Sequence, residues 1–537
     1  MASPAGPRVP PAERRRILFA TSNGTGLGHL ARAMAIARRL PEDVAPAIFT
    51  LSAAAPVVAR MGFPVEYMPS YRQPGSGSDW QWNMRLRHRL ELLLAELRPD
   101  LVVFDGVHPY RALTHVLTAR PEIPAVWCRR PMWRRGRGEA ALGRAGAFAA
   151  VLEPGELAAA QDRGATVARR GEAIRVAPIA FLDREEMLDR DLAERELGLE
   201  PGGVNALVAL GQGAELDRAV QASLRVLAAS TGVRVAAIES SLAPGLDVPE
   251  GVVHVRGSFP VARYYRAFDL AISAAGYNAF HELLAAGVPT LFVPMSRESD
   301  DQAARARWAS GAGVGLAVPD AAPPAIEGAL EQLLDPARRR EIAAAAGRLP
   351  HRNGAAAAAR ALVAMLADPP AAPRPGVLRR WWSHSAHPVG PSLPLAGALT
   401  ARQLGARPEL RKPRAAVLAL GVAGLGGAEL SERLRSAFGE LGEEPSRVLV
   451  ITDSLEFGAL RELGCAFEHV PPPEALADPE ADYGGFLRRR LGEVLRRRAP
   501  RRSLALGSAD PALAAALAAA PHRRARAIER AVSRSGG

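Results

Sequence analysis

Residues Asp269 to Pro294 read DLAISAAGYNAFHELLAAGVPTLFVP. Residues 270–272 form a short apolar run of the kind that makes a buried strand. Gly276 then opens a segment with apolar residues at helical spacing, which Gly287 and Pro289 stop. Residues 290–293 make a second buried strand. Strand, helix, strand with a glycine at the helix entrance is the unit of a parallel sheet. The helix N-terminus offers unpaired N–H groups and a positive dipole end, which suit a phosphate. Glu282 lies further along the same helix among apolar neighbours, where a carboxylate can accept two hydrogen bonds from a diol. The plainer alternative is an exposed helix charge. Beyond the second strand, Asp300-Asp301-Gln302 stand either where sugar hydroxyls are read or as a loop and helix cap.

The alternation continues upstream. Residues 207–210, 235–238 and 252–255 read as strands, and Gly211-Gln212-Gly213 after the first of them is either a diphosphate cradle of backbone N–H groups or a plain turn. A separate series opens the chain, with strands at 17–20, 47–51, 65–68 and 101–104. Its helices are expected at 29–40, around 57–61 and at 85–97. Ser22-Asn23-Gly24-Thr25-Gly26-Leu27-Gly28-His29 joins its first strand to its first helix. Gly26 and Gly28 let the backbone turn tightly and approach a ligand. His29 has the basicity to deprotonate a hydroxyl near neutral pH, or it packs at the helix start. Asp105, at the end of the fourth strand, is a second candidate base. No Walker-type lysine follows the loop, which excludes a nucleoside-triphosphate P-loop.

These series predict an α/β chain with two Rossmann-like domains, residues 15–178 and 179–367, facing a cleft at the carboxyl ends of their strands. Residues 1–14 read as a flexible tail. Prolines punctuate residues 368–413, a linker with Trp381-Trp382 as possible docking points. Residues 414–537 read as a third α/β domain, with strands at 416–420 and 448–451. It echoes the first, either as a partial internal duplication or because two Rossmann-like units look alike by geometry. Gly26-Leu27-Gly28-His29 is matched by Gly424-Leu425-Gly426-Gly427, and residues 61–69 by residues 463–471. Gly427 stands where His29 does, so the copy is not expected to repeat its role.

Composition narrows the classes. Hydrophobic residues at 48% and charged residues at 23% fit a soluble globular chain. No apolar run is long enough to span a membrane, and Met1 to Arg16 lacks the apolar core of a secretory leader. Cys128 and Cys465 are the only cysteines, which excludes a disulfide framework and a thiolate zinc site and fits a cytoplasmic address. The formal charge of +12 is nearly all arginine, Lys412 being the only lysine. Arginine-rich coding is one source of that charge; a surface for phosphate or anionic lipid is another. Arg129, Arg130 and Arg134 are candidates for gripping an acceptor phosphate or an anionic membrane, with Met132 and Trp133 adding apolar contact. No nucleic-acid motif accompanies them, so no nucleic-acid partner is expected.

The segment from Ala275 to Pro294 resembles the donor-site signature of GT-B glycosyltransferases. The nearest resemblance is to the N-acetylglucosaminyltransferase family that completes the lipid intermediate of peptidoglycan. The loops at Gly26–His29 and Gly211 resemble that family's other two motifs, in family order, across residues 15–367. The resemblance implies inverting transfer from a nucleotide diphosphate sugar, UDP-linked, to an acceptor hydroxyl on a lipid-linked or polysaccharide acceptor of the cell envelope. It places Gly276 with Tyr277 and Asn278 at the diphosphate, Glu282 at the ribose, and Asp301 and Gln302 at the sugar. Arg256, Gly257 and Ser258 would face the base, and His29 the acceptor. Helix dipoles would carry the charge, so neither a metal nor a cofactor is implied. The enzyme would be cytoplasmic, peripheral at the inner face of the membrane. The sugar-reading segment is one residue longer than the family's, and the opening loop is poorer in glycine. Two other readings use the same parts: a nucleotide-sugar hydrolase of the pseudaminic-acid type, whose Gly-His loop is likewise followed by an arginine (here Arg32), and a non-catalytic nucleotide-sugar-binding module.

Overall fold

The computed structural model describes residues 14–22, 27–71, 78–200, 202–211, 214–239, 248–297, 299–370, 418–476, 482–498, 500–506 and 511–519. Three sheets, each parallel throughout, organise them. The first contains β1 (Arg15–Thr21), β2 (Val44–Thr50), β3 (Val65–Tyr67), β4 (Leu101–Asp105), β5 (Ala125–Cys128), β6 (Ala150–Glu153) and β7 (Ala173–Arg175). Their spatial order is β3-β2-β1-β4-β5-β6-β7. The intervening helices are α1 (Gly28–Ala37), α2 (Ala55–Arg60), α3 (Asp79–Leu97), α4 (Arg111–Ala119) and the short α5 (Glu139–Leu142).

The central strands β1 and β4 are apolar on both faces because helices cover both faces. Ile17, Phe19, Leu101 and Val103 pack one side; Leu18, Ala20, Val102 and Phe104 pack the other. Each such side chain contributes about 1.5–3 kcal/mol on burial. Helix α3 starts earlier than its apolar spacing suggests, because Ser78 and Gln81 close a capping box ahead of it.

The second sheet, ordered β10-β9-β8-β11-β12-β13, holds β8 (Val204–Ala209), β9 (Val233–Ile238), β10 (Val253–Val255), β11 (Leu270–Ser273), β12 (Thr290–Phe292) and β13 (Leu316–Ala317). Its helices are α6 (Arg190–Leu197), α7 (Ala214–Ala229), α8 (Tyr277–Ala286), α9 (Gln302–Gly311), α10 (Pro323–Leu334), α11 (Pro336–Gly347) and α12 (Ala355–Ala367). The chain reverses from β8 to β11 at the centre, which opens the crevice used by ligands in such sheets.

Helix α12 returns to the first domain and packs on α1. Gly354 sets its start. Its N–H donates to Pro178 O at 2.7 Å, and a Cβ there would lie 2.0 Å from Ala177 O. That neighbour is backbone, so Gly354→Ala must push the hinge and α12 apart. We expect a loss of about 1–3 kcal/mol, read as a lower melting temperature. An unchanged melting temperature would show that the hinge yields freely.

The third sheet, ordered β16-β15-β14-β17, holds β14 (Leu418–Val422), β15 (Val448–Thr452), β16 (Ala466–His469) and β17 (Arg502–Leu506). Helices α13 (Gly427–Leu441), α14 (Phe457–Glu462), α15 (Tyr483–Arg498) and α16 (Pro511–Ala518) accompany it. Trp381, Trp382 and most of the proline-rich stretch lie outside the described residues.

Candidate active site

His29 is the second residue of α1, and Asp105 is the last residue of β4. Because β1 and β4 are neighbours in register, with Thr21 beside Asp105, the imidazole falls directly on the carboxylate. His29 Nδ1 lies 2.6 Å from Asp105 Oδ1. One helical turn on, Arg32 reaches the same carboxylate, its Nε donating to Oδ2 at 3.0 Å. Asp105 and Arg32 are buried, whereas His29 keeps a narrow exposed edge.

Electrostatics fix the protonation of this group. Burial alone would raise the Asp105 carboxyl, but Arg32 and the His29 hydrogen bond outweigh it and hold it below its ordinary value. Burial pushes the His29 imidazole below 6.5, and Asp105 opposes this only in part. Two groups meet Nδ1, Asp105 Oδ1 at 2.6 Å and Arg32 Nη2 at 2.9 Å. The closer one is a carboxylate, which accepts, and it also takes the guanidinium's hydrogen bonds, so the favoured neutral tautomer carries its proton on Nδ1. Nε2 then holds a lone pair. It makes no hydrogen bond among the described residues. A neutral, oriented imidazole with a free nitrogen is what a general base requires.

The facing wall comes from the second domain. Asn278 Nδ2 donates to Gly28 O at 3.5 Å, and Arg32 lies over the Tyr277 ring at 5.2 Å. Gly276 is the N-cap of α8, which ends at Gly287 in the left-handed conformation that glycine tolerates. The Tyr277 hydroxyl donates to Gly155 O at 2.8 Å and accepts from Ile179 N at 3.1 Å. Tyr277 is thus a hinge pin, a role the sequence did not suggest.

Glu282 is buried, not an exposed helix charge. Its partner among the described residues is Phe181 N–H at 3.5 Å. It faces a cavity of about 50 Å³ between α8 and the hinge, lined by Pro178, Ala180, Leu182, His281 and Asn353 among others. That space holds a water or two, not a ribose. Burial pushes the carboxyl up to about 7. The fold therefore favours the protonated acid, so stability is whole below the ordinary 4.5 and falls as pH rises from there through 7. Glu282→Gln is expected to remove this slope, so its melting temperature should gain on the parent's above pH 7. Parallel melting curves for the two proteins across pH 4.5–8 would contradict it.

A charged chain joins the domains beside this pair. Glu156, just past β6, is fully buried against two groups of the second domain. His281 Nε2 lies 3.2 Å from its Oε1, and Arg305 Nε lies 3.0 Å from its Oε2. Arg305 also reaches Asp300, 3.2 Å away, and Arg130 crosses from the first domain to Asp300. Asp301 N donates to Met132 O at 2.9 Å. Glu156 and Arg305 carried no motif, and His281 stood in the signature segment without a role; their mutual contacts exist only across the interface.

Other expected residues fall as follows. Arg129 is buried against Glu172 at 2.9 Å and Arg169 O at 3.0 Å, so it cannot grip an acceptor at the surface. Met132 and Trp133 are also core residues, which corrects their expected membrane contact: their apolar surface is consumed inside the fold. Of the three arginines, Arg134 alone is exposed, donating to Arg297 O at 3.2 Å. Asp301 caps α9 through Ala304 N at 3.0 Å. Gln302 is buried, its amide engaged by Met295 N and Asp300. Arg256 projects into solvent beside Glu239 at 3.2 Å, with Gly257 and Ser258 in the turn behind it. Gly211, two residues past the end of β8, has a positive φ of 86°. Gly26, Gln212 and Gly213 lie outside the described residues. Among the described residues no cluster of side chains could hold a metal ion, and no helix is long and apolar enough to cross a membrane.

Two Rossmann-like domains whose carboxyl ends meet over a cleft are the GT-B arrangement, and the family matches make this protein a glycosyltransferase of that class. Residues 253–359 match the Glycosyltransferase family 28 C-terminal domain. The chain is 32% identical over 394 residues to the UDP-N-acetylglucosamine--N-acetylmuramyl-(pentapeptide) pyrophosphoryl-undecaprenol N-acetylglucosamine transferase of Mycobacterium tuberculosis (strain ATCC 25177 / H37Ra), covering 68% of this chain and 92% of that one. It is 35% identical over 208 residues to the protein of the same name from Clavibacter sepedonicus, covering 37% of this chain and 55% of that one. A crystal structure of Acinetobacter baumannii MurG aligns over 65% of this chain and 100% of that one, at 16% identity and a TM-score of 0.44. The chain belongs to the family of these N-acetylglucosamine transferases.

Proposed function

We propose that this enzyme transfers N-acetylglucosamine from UDP-N-acetylglucosamine to a hydroxyl of a lipid-linked acceptor, working in the cytoplasm at the inner face of the membrane. The observation that carries the chemistry is the His29–Asp105 pair, with Nε2 turned from its partner. The acceptor oxygen attacks the anomeric carbon, its proton passes to His29 Nε2, and the bond to the diphosphate breaks with inversion. Asp105 stabilises the imidazolium that forms. The relatives' printed substrates support the donor and acceptor classes.

In this reading the diphosphate sits at the N-terminus of α8, at Gly276, and beside Gly211, Gln212 and Gly213. Glu282 takes the ribose, the stretch from Arg256 to Phe259 takes the base, and Asp301 and Gln302 sit beside the sugar. Helix dipoles do the charge work that a metal does elsewhere, so no cofactor takes part. The small cavity at Glu282 means that the hinge opens to admit the donor. Arg134 is the exposed member of the arginine cluster left to meet an anionic headgroup or acceptor phosphate.

The test measures UDP release from a panel of nucleotide sugars, with and without a polyprenyl-pyrophosphoryl acceptor. Release that depends on both UDP-N-acetylglucosamine and the lipid supports the reading. Release without acceptor would make the enzyme a hydrolase. Turnover with another donor only would overturn the sugar assignment.

A further inference from the structure

The first and third sheets share one plan. Strand order β3-β2-β1-β4 in one is β16-β15-β14-β17 in the other, and the helices between them correspond in turn. The residues keep step. Val65-Glu66-Tyr67 of β3 answers Phe467-Glu468-His469 of β16, Arg89-Leu90 of α3 answers Arg490-Leu491 of α15, and Pro99 before β4 answers Pro500 before β17. What is not copied is the chemistry. The first turn of α13 reads Gly427-Ala428-Glu429-Leu430, with neither a histidine nor an arginine, and β17 ends in Leu506 where β4 ends in Asp105.

The two copies touch through these matched residues. Tyr67 stacks on Phe457, with centroids 4.3 Å apart. Arg89 holds Glu66 of its own domain at 2.6 Å and also pairs with Glu468. Arg490 pairs with Glu66. All four charged side chains are buried. In the register of the duplication, Arg89–Glu468 and Arg490–Glu66 are one contact seen twice with the halves exchanged. That reciprocity is the signature of a two-fold, isologous interface, in which a surface pairs with itself. A buried charge that loses its partner is costly, so an arginine and a glutamate from each domain, each facing its opposite in the other, disfavour any partner that lacks this arrangement.

We propose that the β3 edge of the first domain is a self-complementary docking face. The C-terminal domain is its built-in partner, a copy without the His29–Asp105 pair, standing where a second copy of this chain would otherwise bind. It also covers the open edge of β3, where unpaired backbone invites association.

The test uses the full chain. Reversing the third domain's half of the interface, with Glu468→Arg and Arg490→Glu together, sets like charges against Glu66 and Arg89. The freed faces should then pair between chains, and the mass by light scattering should double relative to the parent. Adding Glu66→Arg and Arg89→Glu restores the match and should return the parental mass. A reversed variant that keeps the parental mass, or a fourfold variant that does not recover it, overturns the proposal.

Discussion

Replacing His29 by alanine is expected to slow turnover by about 10²–10⁴-fold while nucleotide binding survives. The size follows from what is removed. The ring is the group whose free nitrogen can take the acceptor's proton, and its partner Asp105 is already committed to Nδ1 and to Arg32. Water cannot replace it with the same orientation. The proposed donor seats lie on the second domain, so nucleotide affinity, followed by thermal shift, should hold within a few-fold. The pH profile provides a second check. Burial holds His29 below its ordinary 6.5, so the base stays neutral and active through neutrality. Activity should fall on acidification through a pKa lower than 6.5. Asp105→Asn should move that profile, because an amide can donate to Nδ1 and turn the ring's proton onto Nε2. Full turnover in His29→Ala would remove the histidine from the reaction.

Much of this arrangement was legible in the residues, for an identifiable reason. Strands β1, β4, β8 and β11 are central and covered on both faces, so they appear as uninterrupted apolar runs. The phosphate-type loops sit at fixed places after such runs. What stayed hidden depends on the meeting of distant segments. Strands β5, β6 and β7 lie outboard of β4 towards one edge of the sheet, and their short runs are set among arginines and without a glycine-rich loop and helix to frame them. Arg129, Met132 and Trp133 looked like a surface cluster because nothing local reveals that Glu172 and the core enclose them. Tyr277 stands in a motif that suggests ligand contact, yet its hydroxyl is held by Gly155 and Ile179. The echo between the first and third domains was visible as matched residues, but not that the matched residues bind one another.

Glu156→Ala should produce the largest loss of stability, about 3–5 kcal/mol. The carboxylate is fully buried between Arg305 and His281, and Arg305 is itself fully buried. Removing the acid leaves a buried guanidinium with Asp300 and the Ala275 carbonyl as its remaining hydrogen-bond partners among the described residues. Glu156→Gln keeps the shape and one acceptor oxygen, so its loss should be smaller. The effect should also report on domain closure, since Glu156 belongs to the first domain and both of its partners belong to the second. Small-angle scattering of the alanine variant should show an expanded particle with two separately folded halves. Acid titration of the parent offers an independent reading. Burial would raise the Glu156 carboxyl, but Arg305 and His281 outweigh it and hold it at about 2, against an ordinary 4.5. The ionised form is favoured by the fold, so the lock is whole above pH 4.5 and weakens as pH falls from there toward 2. An alanine variant that melts with the parent and scatters like it would mean that closure rests on the Asp301 N–H and Tyr277 hydroxyl contacts, with the buried charges only neutralising one another.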